Sequence, residues 1–100
     1  MTKAEMHRQL CEELHTLYLN KNSDYGDSYS KIREIIPTSI LVRLHDKVNR
    51  VTTLMLNKQN GQKVKDESIL DTLMDNANYS LIEIVEQIYE KQEKAEKDIE

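Results

Sequence analysis

Three polar segments of this 100-residue chain carry more chemistry than a packed helix needs: "KNSDYGDS" (21–28), "RLHDKVNR" (43–50) and "DESILDTLMDNANYS" (66–80). The first sets Asp24, Tyr25 and Asp27 between Lys21 and Ser28. A helix-ending turn needs a glycine and a polar residue; the rest is surplus. The second, read as a helix, puts Arg43, Asp46, Lys47 and Arg50 on one polar face. The third places Glu67, Asp71 and Asp75 at four-residue steps, an acidic ridge that Asn78 and Tyr79 extend. A few local cations suit a small phosphorylated ligand, and Tyr25, Tyr29 and Tyr79 are surfaces on which a base can stack. Aligned carboxylates repel one another. They call for a facing Arg or Lys, or for a Mg²⁺ held by oxygen ligands. The plain alternative for the second segment is a surface ladder pairing Asp46 with Arg43 and Arg50, worth roughly a few tenths of a kcal/mol per pair.

Helical elements must position these groups. Thr2 and Glu5 have capping-box spacing, and Met6, Leu10, Leu14 and Leu17 then recur at helical intervals, predicting a first helix to about Asn20. "SYSKIREII" predicts a short helix that Pro37 ends. Thr38 or Ser39 can cap the next, whose core stripe is Leu41, Leu44, Val48, Val51 and Met55 and whose end falls near Gln59, before "NGQ". The last main helix opens at Asp66, with Leu70, Leu73, Ala77, Leu81, Ile84 and Ile88 as its core stripe. The tail "EKQEKAEKDIE" stays helical and loses the stripe. The expectation is an all-α fold: three main helices plus a short one in a compact bundle. It is one domain over residues 1–90 with a charged helical tail over 91–100. A coiled-coil rod, needing one long register, ranks second.

Composition excludes several classes. The net charge is −4 and no basic block stands out, so DNA is not an expected partner. A single cysteine, Cys11, closes no intrachain disulfide, which fits a reducing cytoplasm. Beside Leu10 and Leu14 it reads as a buried structural thiol. The N-terminus lacks a signal-peptide core and no apolar run is long enough for a bilayer, so no membrane partner and a cytoplasmic location are expected. His7, His15 and His45 are scattered, and neither a Gly-rich phosphate loop nor a nucleophile elbow is present. With no Phe or Trp, a domain this small should be marginal alone. A homo-oligomer is therefore expected.

Taken together, in order and spacing, the three segments resemble the nucleotide-modification-associated domain family of phages and prophages, over roughly Lys21 to Ser80. A more distant similarity is to the all-α nucleoside triphosphate pyrophosphohydrolases of the MazG and dimeric dUTPase type, whose facing helices carry Mg²⁺-binding carboxylates. The resemblance implies a small nucleotide ligand bound between helices or subunits. Arg43, Lys47 and Arg50 would meet phosphate oxygens, and Tyr25 or Tyr79 would stack on the base. Asp24, Asp27 and the acidic ridge would accept hydrogen bonds. Without catalysis and without a cofactor, such a protein would sequester a host nucleotide immune signal. The alternative is a Mg²⁺-dependent (d)NTP pyrophosphohydrolase in which Glu67, Asp71 and Asp75 hold the metal. That pattern is incomplete here: Thr16 follows Glu12 and Glu13 where a further Glu should stand, and the ridge steps by four rather than three. A plainer third possibility is a helical interaction module whose polar faces make only salt bridges between subunits.

Overall fold

The chain forms four helices in a computed structural model: α1 (Lys3–Tyr25), α2 (Ser28–Ile35), α3 (Ser39–Gln59) and α4 (Asp66–Ile99). Residues 1–25 and 27–99 are described, the side chains of 22–25 and 99 excepted, and no strand occurs among them. The helix ends follow local chemistry. The Glu5 N–H donates to Thr2 Oγ1 (3.1 Å), and the Thr2 N–H reaches back to Glu5 Oε2 (3.4 Å), which completes the expected capping box. Pro37 separates α2 from α3. Thr38 takes the N-cap position of α3, but its side chain makes no capping hydrogen bond.

α3 stops in a Schellman turn, with Gln62 N–H on the Asn57 carbonyl and Gly61 N–H on the Lys58 carbonyl. Gly61 has φ +84°, and a Cβ there would meet nothing within 4 Å. Backbone strain alone therefore opposes a side chain at this position. Gly61→Ala should cost about 1 kcal/mol, read as a lower urea midpoint with unchanged slope.

α1 runs to Tyr25, five residues beyond its expected end at Asn20. Asn22, Ser23 and Asp24 disfavour a helix only by fractions of a kcal/mol each, which a preceding five-turn helix overrides.

α3 and α4 form an antiparallel hairpin. Lys58 pairs with Asp66, Lys47 with Asp75 and Arg43 with Tyr79, so residue numbers rise along one helix as they fall along the other. The α4 face turned to α3 is Ile69, Thr72, Asn76 and Tyr79, with Ile69 at 9% and Thr72 at 3% exposure. This is one residue out of phase with the expected core stripe. Leu70, Leu73, Leu81, Ile84 and Ile88 are instead between 45% and 60% exposed. On α3 the expected stripe splits: Leu44 and Val51 are half-buried, while Leu41, Val48 and Met55 lie outward. The two α3 rows differ by about 50°, and α4 covers the Leu44–Val51 side, leaving the other row at its edge.

α2 lies against the C-terminal half of α4, its Tyr29, Ser30 and Arg33 bonded to Glu83, Glu86 and Glu90. α1 meets α4 through Leu14, buried beside a hollow lined by Tyr18, Asn78, Ile82 and Val85. The first thirteen residues are all exposed. Met6, Leu10 and Cys11 are therefore not core, contrary to expectation: among the described residues of α1, Leu14 alone is buried where the helix meets α4. The expected compact bundle is elongated, 61 × 34 × 23 Å, with a radius of gyration of 16.9 Å against about 13 Å for a compact chain of this length.

Candidate functional site

One cluster draws a side chain from each of the four helices. Arg43 (α3) holds its guanidinium 5.1 Å from the Tyr79 ring centre (α4) and 5.8 Å from that of Tyr29 (α2). It also donates to the Tyr79 hydroxyl at 3.1 Å. Lys21 (α1) places its ammonium 5.9 Å from the centre of the same Tyr79 ring. All four side chains are half-buried. One turn away along the hairpin, Lys47 meets Asp75 at 3.2 Å. Arg43 and Lys47 are four residues apart on α3, as Asp75 and Tyr79 are on α4, so the two pairs stack as adjacent rungs. Asn76 carries a buried side-chain oxygen with no hydrogen-bond partner among the described residues, on the same face of α4 as Tyr79.

The chemistry of this arrangement is that of a cation held by aromatic faces. Each ring attracts the guanidinium through its quadrupole. The described residues take one of the five N–H donors that a guanidinium offers. The remaining donors, with the Lys21 ammonium, suit an anion with several acceptor oxygens.

Behind Tyr29 lies a second network. Tyr29 Oη donates to Glu83 Oε1 (3.0 Å), and Arg33 grips both Glu83 oxygens through Nε (2.9 Å) and Nη2 (3.0 Å). Arg33 also bonds Glu90, Gln87 donates to Glu83 (2.8 Å), and Ser30 bonds Glu86. Burial and the Glu83 carboxylate hold the Tyr29 phenol above its ordinary range. The hydrogen bonds to Glu83 and then Glu90 raise the Arg33 guanidinium further, so it stays charged. Tyr29 enters the cluster as a neutral ring with its hydroxyl already engaged.

The expected site residues divide. Lys21, Arg43 and Tyr79 meet in the cluster, and Lys47 with Asp75 adjoins it. Asn78 is 3% exposed, on the α1 side of α4. Asp46 and Arg50 are exposed, and Asp46 pairs with neither Arg43 nor Arg50, so the expected ion-pair ladder does not form. Ser28 and Asp27 are exposed. Asp27 accepts from Ser30 Oγ at 2.8 Å rather than facing Arg43 or Arg50. The Asp24 and Tyr25 side chains lie outside the described residues. Arg33, Glu83 and Glu90 escaped the sequence reading; the three-and-four spacing of Glu83, Glu86 and Glu90 was the available signal.

The ridge does not fit Mg²⁺. Asp75 is engaged by Lys47, while Glu67 and Asp71 are exposed on earlier turns of the same helix. Among the described residues no three His, Cys, Asp or Glu side chains gather around a cation position. Magnesium needs near-octahedral oxygens at about 2.1 Å.

The profile of the family described as nucleotide modification associated domain 1 matches residues 21–94, a span that holds all four members of the cluster. Neither a curated protein nor a solved structure shows significant similarity to the chain. No helix among the described residues is long and apolar enough to cross a membrane.

Proposed function

The chain belongs to the nucleotide modification associated domain 1 family, and from that premise we propose that it binds a phosphorylated nucleotide at the Lys21–Tyr29–Arg43–Tyr79 junction and holds it uncleaved. The observation that carries this reading is Arg43, a half-buried guanidinium fixed between two tyrosines with most of its donors unspent on the described residues. Phosphate oxygens meet Arg43 and Lys21, Lys47 adds charge one turn away, and a tyrosine face takes the base. Asn76 offers an acceptor to a base N–H.

The protein works as a homo-oligomer, and its role is sequestration: capture of a nucleotide signal of the host of a phage. It needs no cofactor for that. The Mg²⁺-dependent (d)NTP pyrophosphohydrolase is the alternative, and no feature of the ridge geometry favours it.

Native mass spectrometry of the purified protein, followed by denaturation and analysis of the released small molecules, tests the reading. The expected result is an assembly carrying an intact nucleotide that survives chelator. Recovery of cleaved nucleotide, lost in chelator, would instead establish the hydrolase.

A further inference from the structure

We propose that the outward stripe of α4, Leu70 to Ile88, is the seat of a second copy of this chain, α4 against α4 in antiparallel sense about a twofold axis. Four observations lead there, and none involves the nucleotide.

The chain exposes 8216 Å², whereas a compact monomer of 11.8 kDa exposes about 5,900 Å². The excess, about 2,300 Å², is on the scale of one protomer's share of an obligate interface. The apolar core inside the protomer is correspondingly thin: Leu14, Ile40 and Ile69 are its buried members among the described residues.

The stripe also has the pattern of a helix-pairing seam. Leu70 and Leu81, Leu73 and Ile84, and Ala77 and Ile88 are each eleven residues apart. Eleven residues make three turns at about 3.67 per turn, close to the 3.6 of a straight helix, so the row holds one side of α4 along its length. It is nearly palindromic as well. Reversal about position 79 exchanges Leu70 with Ile88 and Ala77 with Leu81, and brings Leu73 within one residue of Ile84. A surface that matches itself on reversal is what a twofold interface requires.

The helix dipoles and the acidic start of α4 favour the antiparallel sense. Asp66, Glu67 and Asp71 crowd the start of α4, whereas in the tail Lys91, Lys94 and Lys97 alternate with Glu90, Glu93, Glu96 and Asp98. Antiparallel pairing opposes the helix dipoles and sets the acidic turns against this mixed-charge tail; parallel pairing would set the acidic turns side by side. The outward α3 row of Leu41, Val48 and Met55 stays available to further copies.

Leu70→Cys and Ile88→Cys chains, both in a Cys11→Ser background, test the geometry by co-expression and mild oxidation. In the proposed pairing Leu70 faces Ile88 of the partner subunit. Two copies of position 70 are about 27 Å apart, at 1.5 Å per residue. A disulfide dimer should form in the mixture, and neither chain alone should cross-link. Efficient cross-linking of Leu70→Cys alone would overturn the antiparallel sense. A wild-type native mass of 11.8 kDa at micromolar concentration would overturn the interface itself, as would absence of any cross-link in a mixture that remains oligomeric. Ile84→Glu should lower the assembly mass, because it sets a charge in the seam.

Discussion

Arg43→Ala should weaken nucleotide binding by about 10- to 100-fold, the loss of one charge-assisted contact to phosphate. Arg43 is held by Tyr29 and Tyr79, so its donors are positioned before a ligand arrives and little ordering is left for binding. Arg43→Lys keeps the charge and loses the planar fork that lies between the rings, so it should recover only a small part of the affinity. Tyr79→Phe keeps the stacking ring, removes the oxygen that accepts from Arg43, and should cost less than either. Calorimetric titration with the nucleotide recovered from the wild-type protein measures all three. Helix content by circular dichroism should be unchanged in each. Wild-type affinity in Arg43→Ala would move the site elsewhere.

Glu83→Ala should destabilise the fold by about 2 kcal/mol, because one carboxylate anchors Arg33, Tyr29 and Gln87 together. Its loss leaves the Arg33 guanidinium, at 13% side-chain exposure, with Glu90 alone. Amide exchange should then speed up most in α2, whose polar anchor on α4 is this network. The same contact makes stability sensitive to acid. The Arg33 hydrogen bonds, more than those of Gln87 and Tyr29, hold Glu83 below the usual carboxylate value. A depressed folded-state pKa means the contribution is complete above the unfolded value, about 4.3 for Glu. It is lost as pH falls through the lower folded value. The stability gap between wild type and Glu83→Gln should therefore be widest near neutrality and close as pH drops below 4.3, by urea titration at each pH. A gap independent of pH would mean that the charge on Glu83 is not what holds α2.

Most of the chain's local structure was readable from residues close in sequence. Thr2 with Glu5, Pro37, and Asn60 with Gly61 mark ends whose chemistry spans six residues or fewer, and the helices stop or start there. Helix boundaries failed where the signal was propensity alone, at Asn22 to Asp24. Orientation was less legible. α4 carries two parallel rows, Ile69–Thr72–Asn76–Tyr79 and Leu70–Leu73–Ala77–Leu81, one residue apart. Periodicity detects the apolar row without saying what covers it. The less apolar row packs inside the protomer, where Thr72 and Tyr79 have partners on the chain.

The cluster was partly legible for the same reason. Lys21, Arg43 and Tyr79 stood out as surplus polar groups. Tyr29 was read only as a stacking surface, and the Arg33–Glu83 contact joins helices 50 residues apart, beyond the reach of any local pattern. Arg50 and Asp46 share a polar face with Arg43 in projection, yet the hairpin covers only the part of that face holding Arg43 and Lys47.

The central claim is capture without cleavage, and calorimetry of the wild-type protein against a panel of cyclic and linear nucleotides, run in EDTA, tests it most directly. The account predicts saturable binding of one class, with the nucleotide recovered intact after denaturation. No heat of binding from any member of the panel would contradict it.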